Sequence, residues 1–129
     1  MTEMTLRTCL LVTDDPDDHQ TISEAISQIS EKTVVMNILD SQKALILLKD
    51  GSSTYQPDYV FLDLSMHGMR INSLLKSMRN EDGFFKKPVV VYGDLNAFNL
   101  IDNTEHLIFF RKDYQYSELL DFLRTIFTP

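Results

Sequence analysis

Cysteine is nearly missing from this 129-residue chain: Cys9 stands alone, so neither an internal disulfide nor a multi-cysteine metal site can form. A lone thiol inside an apolar run reads as a buried core residue in a reducing compartment. Long apolar runs are also lacking, and none approaches the ~18 residues of a membrane span. The N-terminus has no basic start followed by an apolar core, so no export signal is read and a cytoplasmic location is expected. Positive charge is scarce: 12 Lys and Arg face 19 Asp and Glu, a formal charge of −7 with a pI near 4.8. No dense basic run interrupts that excess, which excludes a nucleic-acid phosphate binder and leaves proteins or cations as partners. Repeats, linkers and shifts of composition are absent too. With 43% hydrophobic residues, one domain over 1–129 with its own core is expected.

What is present is an alternation of two apolar periods. Leu10-Leu11-Val12, Val34-Val35-Met36, Tyr59-Val60-Phe61-Leu62, Val89-Val90-Val91-Tyr92 and Leu107-Ile108-Phe109-Phe110 are short, continuous and bounded by polar or turn residues. They read as buried strands. Between them, Ile22, Ala25, Ile26 and Ile29 fall on one helical face, as do Ile71, Leu74, Leu75 and Met78. SQKALILLK (41–49), closed by Asp50-Gly51, reads as a helix with a glycine stop, and Leu119, Leu120, Leu123, Ile126 and Phe127 stripe the last helix. Residues 94–105 have room for a helix of only about two turns. The punctuated loops are 51–58 and 80–88. The order β-α-β-α-β-α-β-(α)-β-α predicts an α/β fold, a mostly parallel sheet with right-handed crossovers and helices on both faces.

In such sheets ligands bind beyond the carboxyl ends of the strands. There the chain delivers Thr13, Asp14 and Asp15 from the first strand, Asp63 and Ser65 from the third, Gly93 and Asp94 from the fourth, and Arg111, Lys112 and Asp113 from the fifth. Carboxylates facing one pocket repel unless a proton, a lysine or a hard divalent cation intervenes. Mg²⁺ is the ion expected, because it takes octahedral oxygen ligands and keeps several waters. Lys112 supplies the complementary positive charge.

The stretches CLLVTDDPDD, PDYVFLDLSMHGM, KPVVVYGD and FFRKDYQYSELL stand in the order found in response-regulator receiver domains of two-component signalling, and the chain resembles a divergent, single-domain, CheY-like member along essentially its whole length. PDYVFLDLSM is the most specific match. The resemblance implies a doubly wound, flavodoxin-like sheet of strand order 2-1-3-4-5 and a function in phosphorelay signal transduction. Asp63 is similar to the phosphoacceptor, which takes its phosphoryl group from a histidine kinase or phosphotransfer protein. Asp14 resembles a Mg²⁺ ligand, the Ser65 backbone carbonyl and Asp63 complete the set, and with a one-residue shift Asp14 and Asp15 together form the acidic pair. Lys112 resembles the lysine that contacts the phosphoryl group. Gly93 and Phe109 occupy the switch positions. Such a protein is not a conventional enzyme, and an output protein would read its state.

Several residues depart from the pattern. Thr13 replaces the first residue of the acidic pair. Gly93 and Asp94 replace a hydroxyl residue and a small residue, and both changes oppose an acyl phosphate. Asp113 replaces a proline. These departures favour the alternative, a degenerate receiver acting as a phosphorylation-independent interaction module. An enzyme or flavin carrier on the same fold is disfavoured, since TDDPDD would repel a flavin phosphate and Ser65 stands where an aspartate-based phosphatase needs a second acid. Asp17 and Asp18 read as a solvated helix start. His19, His67 and His106 share no metal-ligand spacing. Phe84, Phe85, Tyr114 and Tyr116 read as packing at the edge of the core.

Overall fold

A computed structural model describes residues 6–48 and 56–127. The elements run β1 (Arg7–Val12), α1 (Pro16–Ile29), β2 (Thr33–Ile38), α2 (Ser41–Leu48), β3 (Tyr59–Asp63), α3 (Ile71–Met78), β4 (Val89–Gly93), α4 (Leu95–Phe98), β5 (Ile108–Arg111) and α5 (Tyr116–Phe127). The five strands form one sheet of order β2-β1-β3-β4-β5, and every neighbouring pair is parallel. The glycine stop at Asp50-Gly51 and loop residues 51–55 lie outside the described residues.

The continuous apolar runs of β3 and β4 follow from their position. Both are buried at every residue, as expected for parallel strands covered on two faces. Alternate side chains of β1 divide the core. Cys9 and Leu11 pack with Ile22, Ala25 and Ile26 of α1 and Leu119, Leu123 and Phe127 of α5. Leu10 and Val12 pack on the opposite side with Ala44 of α2 and Leu74 and Leu75 of α3. Each fully buried aliphatic side chain contributes about 1.5–3 kcal/mol, and this double commitment pins β1 at the centre. The edge strands β2 and β5 alternate instead.

The strands outrun their apolar runs, because ladder pairing continues into polar residues: Arg7 pairs with Thr33 and Gly93 with Arg111. The fourth helix is shorter than the two turns expected. It has four residues, with Asp94 as N-cap, its carboxylate accepting from the Ala97 amide. After it, the chain is tied to α3 by side chains rather than by helical bonds. Asn72 donates to the Leu100 carbonyl and accepts from the Asp102 amide, while Arg79 donates to the carbonyls of Asn103 and Glu105. These bonds satisfy backbone groups that another helical turn would have paired internally. No helix among the described residues is long and apolar enough to cross a membrane.

Candidate functional site

The carboxyl ends of the strands are held at one level by backbone bonds that extend the sheet. Thr13 N donates to Ile38 O, Leu64 N to Tyr92 O, and Lys112 N to Gly93 O. The Asn37 side-chain amide adds two more, to the carbonyls of Leu11 and Thr13. The residues expected to share a rim therefore do share one.

Asp63 lies at its centre and is only 1% exposed. One carboxylate oxygen, Oδ2, accepts from the Thr13 hydroxyl at 2.7 Å. The other, Oδ1, accepts from the Ser65 amide at 2.9 Å and the Ser65 hydroxyl at 2.8 Å. Lys112 Nζ stands 3.4 and 3.3 Å from Oδ1 and Oδ2 and donates to Ser65 Oγ at 2.9 Å. A carboxylate offers about four lone-pair sites, and these donors occupy them. An ionised group that is almost wholly buried is sustained by this full complement of hydrogen bonds and a facing cation.

The carboxylate nearest to Lys112 is not that of Asp63. Lys112 Nζ lies 2.9 Å from Asp18 Oδ2, closer than to either oxygen of Asp63. The Asp18 side chain is 14% exposed and that of Lys112 27%. Burial raises the carboxyl pKa of Asp18, against the pull of Lys112. Burial pulls the Lys112 ammonium down, but Asp18 and Asp63 together outweigh it, so its net shift is upward. The Tyr92 ring lies beneath, its centroid 5.8 Å from Nζ, and burial, aided by the Asp63 charge, pushes the Tyr92 phenol up.

The solvated helix start expected for Asp17 and Asp18 is therefore correct for Asp17, which is exposed, and wrong for Asp18. The reason is local. Asp15 takes the N-cap of α1, accepting from the amides of Asp17 and Asp18, with Pro16 in the first turn. The first turn then carries Asp18 inward toward β5. A sequence signal existed: Asp15-Pro16 is a strong helix start, and Asp18 lies three residues on. Asn37 and Tyr92 were missed because nothing in a strand's apolar pattern marks a side chain that reaches the rim.

The expected metal ligands do not converge in the same way. Asp15 spends a carboxylate oxygen on its cap, with Oδ1 taking both amide hydrogens. Asp14 is exposed, and its Oδ2 accepts from the His67 amide at 3.2 Å. Thr13 contributes a hydroxyl donor where a second acid would supply charge. Among the described residues no three His, Cys, Asp or Glu side chains group to hold a metal ion. With the lone pairs of Asp63 engaged, Mg²⁺ would have to displace one of these donors to bind.

The switch positions are equally specific. Gly93 is buried at the end of β4, and a Cβ there would lie 3.1 Å from Leu64 Cβ and 3.4 Å from Ala97 Cβ. A hydroxyl-bearing residue there would need Leu64 and Ala97 to give by a few tenths of an ångström. Phe109 is partly exposed and meets Phe98 edge-on, centroids 4.9 Å apart. Asp113 makes a bidentate pair with Arg111 at 3.0 and 2.7 Å, and no peptide bond among the described residues is cis. Of the other residues singled out, His67 and His19 stay apart from any ligand cluster, and His106 adopts φ 64° and stacks on Phe84 at 4.2 Å. Phe85 lies under Arg79, Tyr114 packs on Phe110, and Tyr116 donates to Gln28.

No family model and no curated relative matches the sequence. Solved structures do match the fold. The chemotaxis response regulator CheY4 of Vibrio cholerae is 17% identical, with TM-score 0.68 over 95% of this chain and 99% of its own. A response-regulator signal receiver domain from Bermanella marisrubri is 21% identical, with TM-score 0.70 over 95% and 98%. The phosphorylated cyanobacterial phytochrome response regulator RcpA is 20% identical, with TM-score 0.67 over 95% and 91%. The fold is that of CheY-like response-regulator receiver domains.

Proposed function

We propose that the chain is a receiver-fold signalling module that acts by binding other proteins, in a single pocket state that does not depend on phosphorylation. The observation that carries this reading is the engagement of Asp63. Its two oxygens are held by Thr13, Ser65 and Lys112, and Lys112 is held more closely by Asp18. An attack on phosphorus would require Asp63 to give up these donors. The hydroxyl that would grip a phosphoryl group is also missing at position 93, where a Cβ would press on Leu64 and Ala97 at 3.1 and 3.4 Å. The acidic composition and the lack of any basic run favour a protein partner over a nucleic acid.

A second reading is favoured by one observation, the placement of a buried aspartate within 3.3 Å of a lysine at the carboxyl ends of parallel strands. In it, a phosphohistidine of a kinase or phosphotransfer protein is the donor. Asp63 Oδ forms the new O–P bond as the donor N–P bond breaks, and Lys112 neutralises charge on the phosphoryl oxygens. An output protein would then bind the phosphorylated form.

Intact-mass spectrometry after incubation with acetyl phosphate and Mg²⁺ separates the two. The first reading expects an unchanged mass. A phosphate adduct that disappears in Asp63→Asn would replace it with the second.

A further inference from the structure

We infer that Lys112, positioned by Asp18, takes the place of a divalent cation at Asp63, so that the buried carboxylate is paired with a positive charge without metal. The inference rests on the reading of a single, closed pocket state and deepens it. Three features carry it. Thr13 lowers the negative charge of the rim by one relative to an acidic pair, and its hydroxyl occupies a lone pair of Asp63 Oδ2. Lys112 Nζ is within 3.4 Å of both Asp63 oxygens and within 2.9 Å of Ser65 Oγ, so its ammonium occupies the mouth of the pocket. Asp18 Oδ2 forms an ion pair with that ammonium at 2.9 Å, and its position is set by the capped first turn of α1.

Asp18 is thus a positioning residue for Lys112, on a different element from the rim acids. Asp63, Asp18 and Lys112 together carry one net negative charge. Asp15 faces the group with its charge but has its Oδ1 committed to the cap, Asp14 points to the His67 amide, and Tyr92 and Tyr114 are the remaining neighbours that feel these charges.

Thermal unfolding of the whole chain, with Mg²⁺ or with chelator, tests this. The melting temperature of the unsubstituted protein should be the same in both. Lys112→Met should melt lower, by on the order of 5 °C, and Mg²⁺ should restore part of the loss because a cation can then do the lysine's work. Asp18→Asn should also melt lower, but Mg²⁺ should restore nothing because Lys112 is still in place. A Mg²⁺-dependent rise in the unsubstituted protein that Asp63→Asn abolishes overturns the inference, as does a failure of Mg²⁺ to help Lys112→Met. If Lys112→Met does not fold, Mn²⁺ titration of the unsubstituted protein decides by NMR. Undiminished amide signals at Asp63 and Ser65 support the inference, and selective broadening there overturns it. Metal binding without a phosphate adduct would remove this inference and leave the interaction reading standing.

Discussion

Gly93 shows how one residue constrains the rim. Its φ is ordinary, so conformational freedom is not what selects glycine there; the space is. A Cβ at 3.1 Å from Leu64 Cβ is tighter than most contacts in close-packed cores, and both neighbours are themselves anchored, Leu64 by the hydrogen bond from its amide to the Tyr92 carbonyl and Ala97 by the one from its amide to the Asp94 carboxylate. Gly93→Thr should therefore lower stability by about 1–3 kcal/mol, read by urea unfolding. A variant as stable as the parent would show that the rim is free to adjust and that a hydroxyl can be accommodated. At the same scale, Asp14 and Asp15 look alike in sequence and differ in what they hold. Asp14→Ala removes one long contact at an exposed site and should change stability by no more than about 0.5 kcal/mol. Asp15→Ala removes the cap of α1 and should cost about 1 kcal/mol, a difference the same denaturant curves resolve.

At the scale of elements, the sequence made much of the architecture legible. All ten elements were anticipated in order, because apolar runs and helical stripes report burial directly, and burial in a two-faced parallel sheet leaves few topologies. The resemblance to receiver domains added the strand order. The rim residues were also legible as a set, since topology alone brings the strand ends together. What was not legible was the division of labour within that set. Whether a carboxylate caps a helix, pairs with a lysine or stays free depends on where one turn of α1 points, and periodicity does not reach that far. Asp18 is the clearest case: it sits in the same acidic run as Asp17, yet ends 2.9 Å from a lysine 94 positions away. The fourth helix stopped short for a related reason. Asn72 and Arg79 of the α3 region supply its missing hydrogen bonds, and polar side chains on a distant helix leave no mark on residues 94–105.

For the molecule as a whole, the buried titratable groups set the pH range in which the fold persists. Cys9 is fully buried, and burial pushes its thiol above its ordinary value of 9.0. Tyr92 is raised above 10.0 mainly by burial, and Tyr114 is raised by the same cause. In each, the folded form keeps its proton at a pH where the unfolded form has lost it. The unfolded state then binds fewer protons, so stability falls as pH rises, by up to about 1.4 kcal/mol per pH unit for each group. The first loss begins as pH passes 9.0, where the unfolded thiol ionises, and the tyrosines add theirs above 10.0. Lys112, also raised in the fold, adds its loss higher still, since its contribution is complete below 10.5 and disappears only as pH climbs through its folded value. Cys9→Ala isolates the first step. The variant loses some packing at every pH, but between pH 9 and 10 its stability should fall less steeply than that of the parent, the tyrosines alone setting its slope. Urea unfolding at half-unit intervals of pH reads the two slopes, and parallel curves would mean that the Cys9 thiol ionises as readily inside the sheet as it does in the unfolded chain.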